Sequence, residues 1–285
     1  MSRQVQLEAG ASTAVIDPDA GGRVTSLVVD GHELLVQHGA DVFHWGSFPM
    51  APWVGRLRNG RLEFDGRATQ LPINAPPHAL HGLVTDRPWM ITATEERCVE
   101  MAVDLGNSAD PTDPWPWPCR VTQSVILAED RMDFRLAVHA QEPLPADIGW
   151  HPWFVRELST PHGKVEAELE VCGGRVYLND AAGLPSGELG PPPPRPWDYC
   201  FVGLSEPPTV RWAGLLELTV GSDCDHWVFY DMEPAGLCAE PWTGPPNSLN
   251  GATPTVVTPS QPLETTMSWA WRRLGASASN TNRSA

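Results

Sequence analysis

The sequence lacks the apolar run of about 18 or more residues that a membrane-spanning helix needs. It also lacks an N-terminal stretch with the pattern of a secretion signal. These two absences predict a protein of the cytoplasm that does not enter a membrane. The formal net charge is -16, so the chain has no excess of the basic residues that bind nucleic acid or anionic membrane surfaces. A small neutral or cationic molecule is the partner that this charge favours.

Cysteine motifs are missing as well. The 6 cysteines form no C-x-x-C pair and no close Cys/His spacing, which excludes a zinc ribbon and a thioredoxin-like redox motif. In a chain of this length an even cysteine count does not by itself indicate disulfides, so we expect reduced and mostly buried thiols. We predict no metal, no cofactor, and a monomer or weak dimer.

Helical periodicity is also absent, and no internal repeat is found. The chain instead carries 25 glycines, 30 prolines and many short alternating segments, such as residues 98–105, 120–127 and 132–139. Asp30-Gly31, Asn59-Gly60 and Asp65-Gly66 are dipeptides typical of hairpin turns. The pattern predicts an all-β fold of two large packed antiparallel sheets. We predict one domain over residues 1–274 and a small, polar, disordered tail over 275–285.

Aromatic composition is unbalanced, with 13 Trp against 3 Tyr and 7 Phe. Indole rings stack well on the apolar faces of sugars, but they also fill protein cores. For any single tryptophan these two interpretations are about equally weighted.

One stretch, residues 148–154, packs three aromatic residues around His151. Pro152 restricts its own backbone and pushes His151 towards an extended conformation. A histidine held rigidly among aromatic rings suits proton exchange with a ligand, although a buried structural histidine is equally compatible. His81, followed by a glycine, and Glu240, followed by Pro241, lie in similar local contexts and favour the functional interpretation.

Two more polar residues are candidates with a structural alternative. Arg56 precedes the turn at Asn59-Gly60, where its guanidinium could donate to hydroxyls in a cleft or simply cover a strand. Asp198 lies among aromatic residues, as a ligand-binding carboxylate or as a turn-initiating cap.

Several of these segments, taken in order, resemble the aldose 1-epimerase (galactose mutarotase-like) family over roughly residues 10 to 272. The matching segments are Gly55 to Arg61 with Phe64-Asp65-Gly66, Leu80-His81-Gly82, Gly149 to Phe154, Asp198 to Phe201, and Glu240-Pro241-Trp242. The resemblance implies a large antiparallel β-sandwich of the galactose mutarotase-like type, with a sugar in an open cleft.

The resemblance also implies roles for individual residues. Glu240 matches the family's general base and His151 its general acid, while three further positions that hold sugar hydroxyls correspond to Arg56, His81 and Asp198. Trp153 stands where the family often has tyrosine, so it keeps an aromatic wall and loses a phenol. Trp242 is expected to be a second wall of the sugar site.

The predicted activity is therefore interconversion of the α and β anomers of an aldose. It requires a base at the C1 hydroxyl and an acid at the ring oxygen, expected on opposite sides of the reacting centre with separate pKa values. A pair of carboxylates would instead favour glycoside hydrolysis.

Three alternatives to this activity stay open. The first is a non-catalytic carbohydrate-binding protein on the same fold, and the second is an epimerase for a hexose phosphate. The third is a metal enzyme that uses His81, His151 and Glu240 as ligands.

Overall fold

The computed structural model describes residues 3–106 and 113–275. The regular structure of those residues consists of strands and three 3₁₀ helices, with no α-helix. The strands of the first half are β1 (Val5–Ala9), β2 (Ser12–Asp17), β3 (Arg23–Val29), β4 (His32–Glu33), β5 (Ser47–Met50), β6 (Arg56–Leu57), β7 (Arg61–Phe64), β8 (Arg67–Gln70), β9 (Ala79–Leu80), β10 (Met90–Glu95), β11 (Cys98–Leu105), β12 (Cys119–Leu127) and β13 (Arg131–Ala140).

The strands of the second half are β14 (Leu144–Pro145), β15 (Gly149–Val155), β16 (Glu157–Thr160), β17 (Gly163–Glu170), β18 (Gly173–Asn179), β19 (Pro185–Gly190), β20 (Asp198–Leu204), β21 (Thr209–Trp212), β22 (Leu216–Ser222), β23 (His226–Tyr230), β24 (Gly236–Trp242), β25 (Val256–Val257) and β26 (Leu263–Arg273). The 3₁₀ helices cover Pro18–Ala20, Arg58–Gly60 and Ser248–Asn250.

Two large antiparallel sheets dominate the fold, as the alternating sequence pattern predicts. The first has 11 strands in the order β1-β2-β3-β5-β15-β24-β23-β20-β18-β19, with β4 added beside β3. The second has nine strands in the order β10-β11-β12-β13-β26-β22-β21-β17-β16. The prediction of a mainly-β fold is therefore confirmed.

The main core lies between these sheets. Trp150 and Phe154 on β15 contact Phe134 on β13 and Trp269 on β26, with ring centroids 4.7 to 6.1 Å apart in the contacts among these four rings. Fully burying a large apolar side chain contributes about 1.5–3 kcal/mol. Most of the 13 tryptophans lie in this core, so the excess of tryptophan serves packing more than sugar contact.

The opposite face of the first sheet carries a second, smaller cluster. Side chains alternate between the two faces of a strand, so Trp150 and Phe154 on β15 point into the main core, whereas His151 and Trp153 point to the opposite face. Trp153 joins Phe48, Cys238 and Trp242 in this second cluster. The centre of the first sheet is thus covered on both faces.

The predicted turns are realised at two of three places. Asp65-Gly66 closes the hairpin of β7 and β8, and Asp30-Gly31 closes that of β3 and β4. At Asn59-Gly60 both residues have positive φ, but β6 pairs with β9 and β7 pairs with β8. The hairpin expected there is wrong, because this turn redirects the chain between two different strand pairs.

The expectation of reduced thiols is met by all 6 cysteines, which are free. Four are buried, whereas Cys98 is half-buried and Cys172 is exposed. In the described part of the chain, no helix is long and apolar enough to cross a membrane. The tail predicted to be disordered lies, beyond its first residue, outside the described residues.

Candidate active site

The pair at the centre of the site comes from two neighbouring strands. In the antiparallel register of β15 and β24, Gly149 faces Trp242 and Trp153 faces Cys238. His151 is therefore opposite Glu240, and its Nε2 lies 3.4 Å from Oε1 of the carboxyl group. A contact between residues 89 positions apart in the chain thus follows from sheet pairing.

Both members of the pair are buried, and each keeps an unused polar atom. His151 is 6% exposed and Glu240 is 1% exposed. Within the described residues, neither His151 Nδ1 nor Glu240 Oε2 has a hydrogen-bond partner, and the same holds for Nδ1 of His81. An unsatisfied buried polar atom costs about 1–3 kcal/mol. Such atoms are what a site offers to the polar groups of a ligand.

Aromatic rings fix the orientation of His151. Phe48 and Trp153 stack on it at centroid distances of 4.8 and 5.4 Å, with interplanar angles of 22° and 19°. His81 meets it edge-on at 5.0 Å. The imidazole is therefore held between two parallel rings and has little freedom to rotate.

His81 reaches the site through an unusual backbone. It has φ 59°, and Gly82 follows with φ 77°. A Cβ at Gly82 would lie 2.1 Å from the carbonyl oxygen of Ala51, so only glycine fits. The backbone N–H of His81 donates to the carbonyl of Gly55 over 3.0 Å, which ties the two segments together.

Arg56 and Asp198 form a partly exposed ion pair at the mouth of the site. Arg56 Nη2 is 3.4 Å from Asp198 Oδ2. Gly55 precedes the arginine with φ 57°, and a Cβ there would lie 2.8 Å from the ring of Trp242. The glycine thus allows the arginine strand to pack directly on the indole.

Burial shifts the pKa values of the central groups towards their neutral forms. Desolvation, reinforced by the charge of Asp198, raises the pKa of Glu240 well above 4.5. Desolvation, with His81, His44 and Arg23 nearby, lowers the pKa of His151 well below 6.5. Both shifts act against the ordinary order, in which the pKa of a carboxyl group lies below that of an imidazole.

His81 is also neutral at physiological pH. Burial, followed by the charges of Arg56 and His44, lowers the pKa of His81 to about 3. An imidazole without charge can both donate and accept a hydrogen bond, which suits contact with a hydroxyl group.

All seven residues predicted from the sequence line one cavity of about 230 Å³; they are Arg56, His81, His151, Trp153, Asp198, Glu240 and Trp242. The roles assigned to them stay predictions. Sequence reasoning missed other lining residues, among them Phe43, His44, Asn179 and Tyr230. The local signals for these are weak, although Phe43-His44-Trp45 is a run of ring-bearing residues inside an irregular segment.

An arch formed by residues 41–46 covers one side of the cavity. The buried guanidinium of Arg23 donates to the carbonyls of Trp45 and Val42, and it lies 4.6 Å from the Phe48 ring centroid. Trp153 Nε1 donates to the carbonyl of Phe43 over 2.6 Å. Burial lowers the pKa of Arg23 to about 9. The arch is therefore anchored from inside the protein.

A hairpin turn formed by residues 179–184 borders another side. Arg58 pairs with Asp180, whose carboxylate also accepts from the backbone N–H groups of Ala182 and Leu184. Nδ1 of His78 accepts from the backbone N–H of Asn59, so its Nε2 carries the proton that is donated to the carbonyl of Ala182 over 3.1 Å.

A rim loop formed by residues 243–250 completes the border. Its buried anchor, Asp147, accepts hydrogen bonds from Thr243, over 2.9 Å, and from Ser248. Thr243 Oγ1 in turn accepts from the backbone N–H of Ile148 over 2.9 Å. Desolvation raises the pKa of Asp147, while these hydroxyl donors oppose the shift.

A family model described as aldose 1-epimerase matches residues 3–249. The chain belongs to this family. Among curated proteins, it is 26% identical over 192 residues to the uncharacterized protein YihR of Escherichia coli K12, covering 64% of this chain and 59% of YihR. The chain thus spans less than two thirds of that relative.

Solved structures agree on the fold. A galactose mutarotase-like protein from Clostridium acetobutylicum superposes with a TM-score of 0.81 at 16% identity, covering 95% of this chain and 96% of that one. Galactose 1-epimerase from Lactobacillus acidophilus NCFM has a TM-score of 0.74 at 15% identity, with 95% and 94% covered. At these identities the likeness establishes the architecture alone.

Proposed function

We propose that this protein is an aldose 1-epimerase that interconverts the anomers of a neutral aldose without a cofactor. The observation that carries the proposal is the buried pair of His151 and Glu240. The two side chains are 3.4 Å apart, line one cavity, and each has a polar atom without a hydrogen-bond partner among the described residues. Family membership supports the same class of reaction.

The reaction moves two protons around one carbon atom. Glu240 takes the proton of the C1 hydroxyl, and His151 gives a proton to the ring oxygen, so the C1–ring oxygen bond breaks and an open-chain aldehyde forms. The C1–C2 bond rotates, and the reverse transfers close the ring on the other face. A general acid or a general base typically raises the reaction rate by about 10²–10⁴-fold.

The proposed pair differs in arrangement from the expectation of an acid and a base on opposite sides of the reacting centre. The two reacting oxygens are both bonded to C1, so an acid and a base that are neighbours can reach both of them. His151 and Glu240 are neighbours across two paired strands and do not lie on opposite sides of a cleft.

The remaining cavity residues suit a sugar ring. Neutral His81 and the ion pair of Arg56 and Asp198 offer donors and acceptors for hydroxyl groups. Trp153 and Trp242 offer apolar ring surface for the C–H faces of the sugar. The volume of about 230 Å³ lies below the ~300–1,000 Å³ of pockets for drug-sized ligands, which favours a monosaccharide.

The charges of the site favour a neutral sugar over a hexose phosphate. Arg56 is the single arginine among the described lining residues, no lysine lines the cavity, and Arg56 is already paired with Asp198. A phosphate placed there would lie close to the carboxylate of Asp198, which disfavours it by like-charge repulsion.

Polarimetry on freshly dissolved α-D-glucose and α-D-galactose tests the proposal. We expect the protein to speed anomer equilibration, and we expect Glu240→Gln and His151→Asn each to lower kcat by about 10²-fold or more, because each removes one proton-transfer group. Glucose 6-phosphate, measured under the same conditions, should be the poorer substrate.

Glu168→Gln is the matched control, since Glu168 is an exposed strand residue of the other sheet. It should leave the rate unchanged. If the protein binds a sugar but its anomers equilibrate no faster than in buffer, the protein is a carbohydrate-binding protein and not an epimerase. A full rate in Glu240→Gln would refute the assignment of the base.

A further inference from the structure

The acid–base pair has a third chemically active neighbour that the proposed reaction does not use. Cys238 lies two residues before Glu240 on β24, on the same face of the strand. Its thiol is fully buried and free. One ligand atom from each of His151, Cys238 and Glu240 lies within 4.8 Å of the other two, and no other group of this kind occurs within residues 3–106 and 113–275.

We propose that His151, Cys238 and Glu240 form a binding site for Zn²⁺, and that zinc bound there switches off the enzyme. Imidazole nitrogen, thiolate sulfur and carboxylate oxygen are the three ligand types that protein zinc sites use. The loss of activity rests on the proposed epimerase function, whereas the binding of zinc does not.

The spacing of the pair fits a tetrahedral ion. Two ligands about 2.0–2.1 Å from zinc, at a tetrahedral angle, are about 3.4 Å apart. The observed separation of His151 Nε2 and Glu240 Oε1 is 3.4 Å. Cys238 Sγ lies within 4.8 Å of one ligand atom of His151 and one of Glu240, so the thiol is close enough to complete the site with a small movement.

Three protein ligands leave the fourth position open. His151 and Glu240 line the cavity, so an ion can enter from there and take water or a sugar hydroxyl as its fourth ligand. Neither Glu240 Oε2 nor His151 Nδ1 has a partner among the described residues, so each side chain keeps a polar atom that no described group occupies.

Binding exchanges protons for the ion. The Cys238 thiol gives up its proton as the sulfur–zinc bond forms, and Glu240 gives up any proton that it carries. Metal ligands bind in their deprotonated forms, so zinc binding releases protons. Zinc bound to His151 and Glu240 takes the positions through which these side chains exchange protons with the sugar. We therefore expect an occupied site to have no epimerase activity.

Titration of the chelator-treated, full-length protein with Co²⁺ and Zn²⁺ tests the site directly. We expect one equivalent of Co²⁺ to produce a thiolate-to-cobalt charge-transfer band, and Zn²⁺ to displace it. Cys238→Ser and Cys238→Ala should lose the band and bind zinc about 100-fold more weakly or worse. Even residues that only hydrogen-bond to a metal ligand change the metal affinity by about 10–100-fold when they are replaced.

Cys200→Ser is the matched control, because Cys200 is also buried and lines the same cavity but lies outside the three-ligand set. It should keep the band. Circular dichroism checks that each variant is folded. Two Cys238 variants are used so that the test remains possible if one of them does not fold.

The outcomes separate the two proposals. No band in the wild type, or a band that survives in the folded Cys238 variants, would overturn the zinc site. A band with no loss of mutarotation in saturating Zn²⁺ would overturn the inhibition. A band in a protein that lacks mutarotation even without metal would uphold the site and refute the proposed function.

Discussion

Glu240 and His151 are two titratable side chains whose surroundings move their proton affinities in opposite directions. Burial favours the neutral form of each, and therefore the state in which the pair holds one proton in total. The productive arrangement, carboxylate with imidazolium, has the same number of protons and differs only in where the proton lies. We therefore treat the pair as one titrating unit.

This unit predicts the pH dependence of kcat/KM. A second proton enters the pair on the acid side, with an apparent pKa below the 6.5 of an ordinary imidazole. The last proton leaves on the alkaline side, with an apparent pKa above the 4.5 of an ordinary carboxyl group. The rate should be highest between these two limits, as measured by polarimetry at a series of pH values.

Asp198→Asn sharpens this prediction. The charge of Asp198 helps to raise the pKa of Glu240 and that of Arg56 lowers it, so the variant should shift the alkaline limit to lower pH. Asp180→Asn is the control, because Asp180 pairs with Arg58 and is not among the charges that shift the pKa of Glu240. The alkaline limit of this variant should be the same as in the wild type. An alkaline limit that is unmoved or raised in Asp198→Asn would contradict the electrostatic account.

How far the sequence predicts the site differs from residue to residue. His151, His81 and Glu240 stand in short motifs whose order is readable, and the structure brings them together in one cavity. Their pKa directions were not predictable, because desolvation depends on strands far apart in the chain. Phe43 and His44 lie in an irregular segment, where no periodicity indicates which side chains point to a ligand.

Among the elements, the rim loop is held by one buried anchor. Asp147 accepts from Thr243 and Ser248, and two residues beside or within this loop, Trp242 at the end of β24 and Pro246, line the cavity. Asp147→Ala should lower the free energy of unfolding by about 2 kcal/mol or more, because it leaves hydroxyl groups without an acceptor. It should also raise KM several-fold with a smaller change in kcat, as steady-state polarimetry can measure.

A control variant separates an effect on stability from an effect on the cavity lining. Asp223 also accepts hydrogen bonds, from Thr265 and from the backbone of Thr266, but it does not line the cavity. Asp223→Ala should lower stability and leave KM unchanged. Equal KM values in Asp147→Ala and in the wild type would show that the loop does not depend on this anchor.

At the scale of the whole molecule, one buried glutamine joins the two sheets. Gln123 on β12 accepts from Trp150 Nε1 over 2.9 Å and donates to the carbonyl of Gly22 over 2.8 Å. Gln123→Met keeps the volume but leaves both partners unsatisfied, at about 1–3 kcal/mol for each group. We expect the Tm to fall by several degrees, since about 1 kcal/mol shifts Tm by roughly 2–4 °C in large domains.

The matched control is Gln141→Met, because Gln141 is exposed and its side chain makes no hydrogen bond in the described structure. Differential scanning calorimetry should show little change for it. A Gln123→Met variant as stable as the wild type would mean that the sheets are joined by apolar packing alone.

The overall architecture was more predictable than its connections. Alternation in residues 98–105 and 132–139 predicts strands, and these residues form parts of β11 and β13 in the nine-stranded sheet. Strand order is set by contacts such as that of β13 with β26, which lie about 130 residues apart and leave no local trace. The prediction of a single domain over residues 1–274 stays a prediction.

The proposed acid–base pair sits on strands in the interior of a sheet, whereas much of the cavity border consists of the arch, the hairpin turn and the rim loop. Under the proposed function, the proton transfers and the choice of sugar belong to different parts of the chain, which can change separately. Exchanging residues 41–46 or 179–184 should redirect the protein to other monosaccharides without rebuilding the proton-transfer machinery. This architecture is a ready starting point for engineering, because new specificity can be sought in short segments on a frame that need not be redesigned.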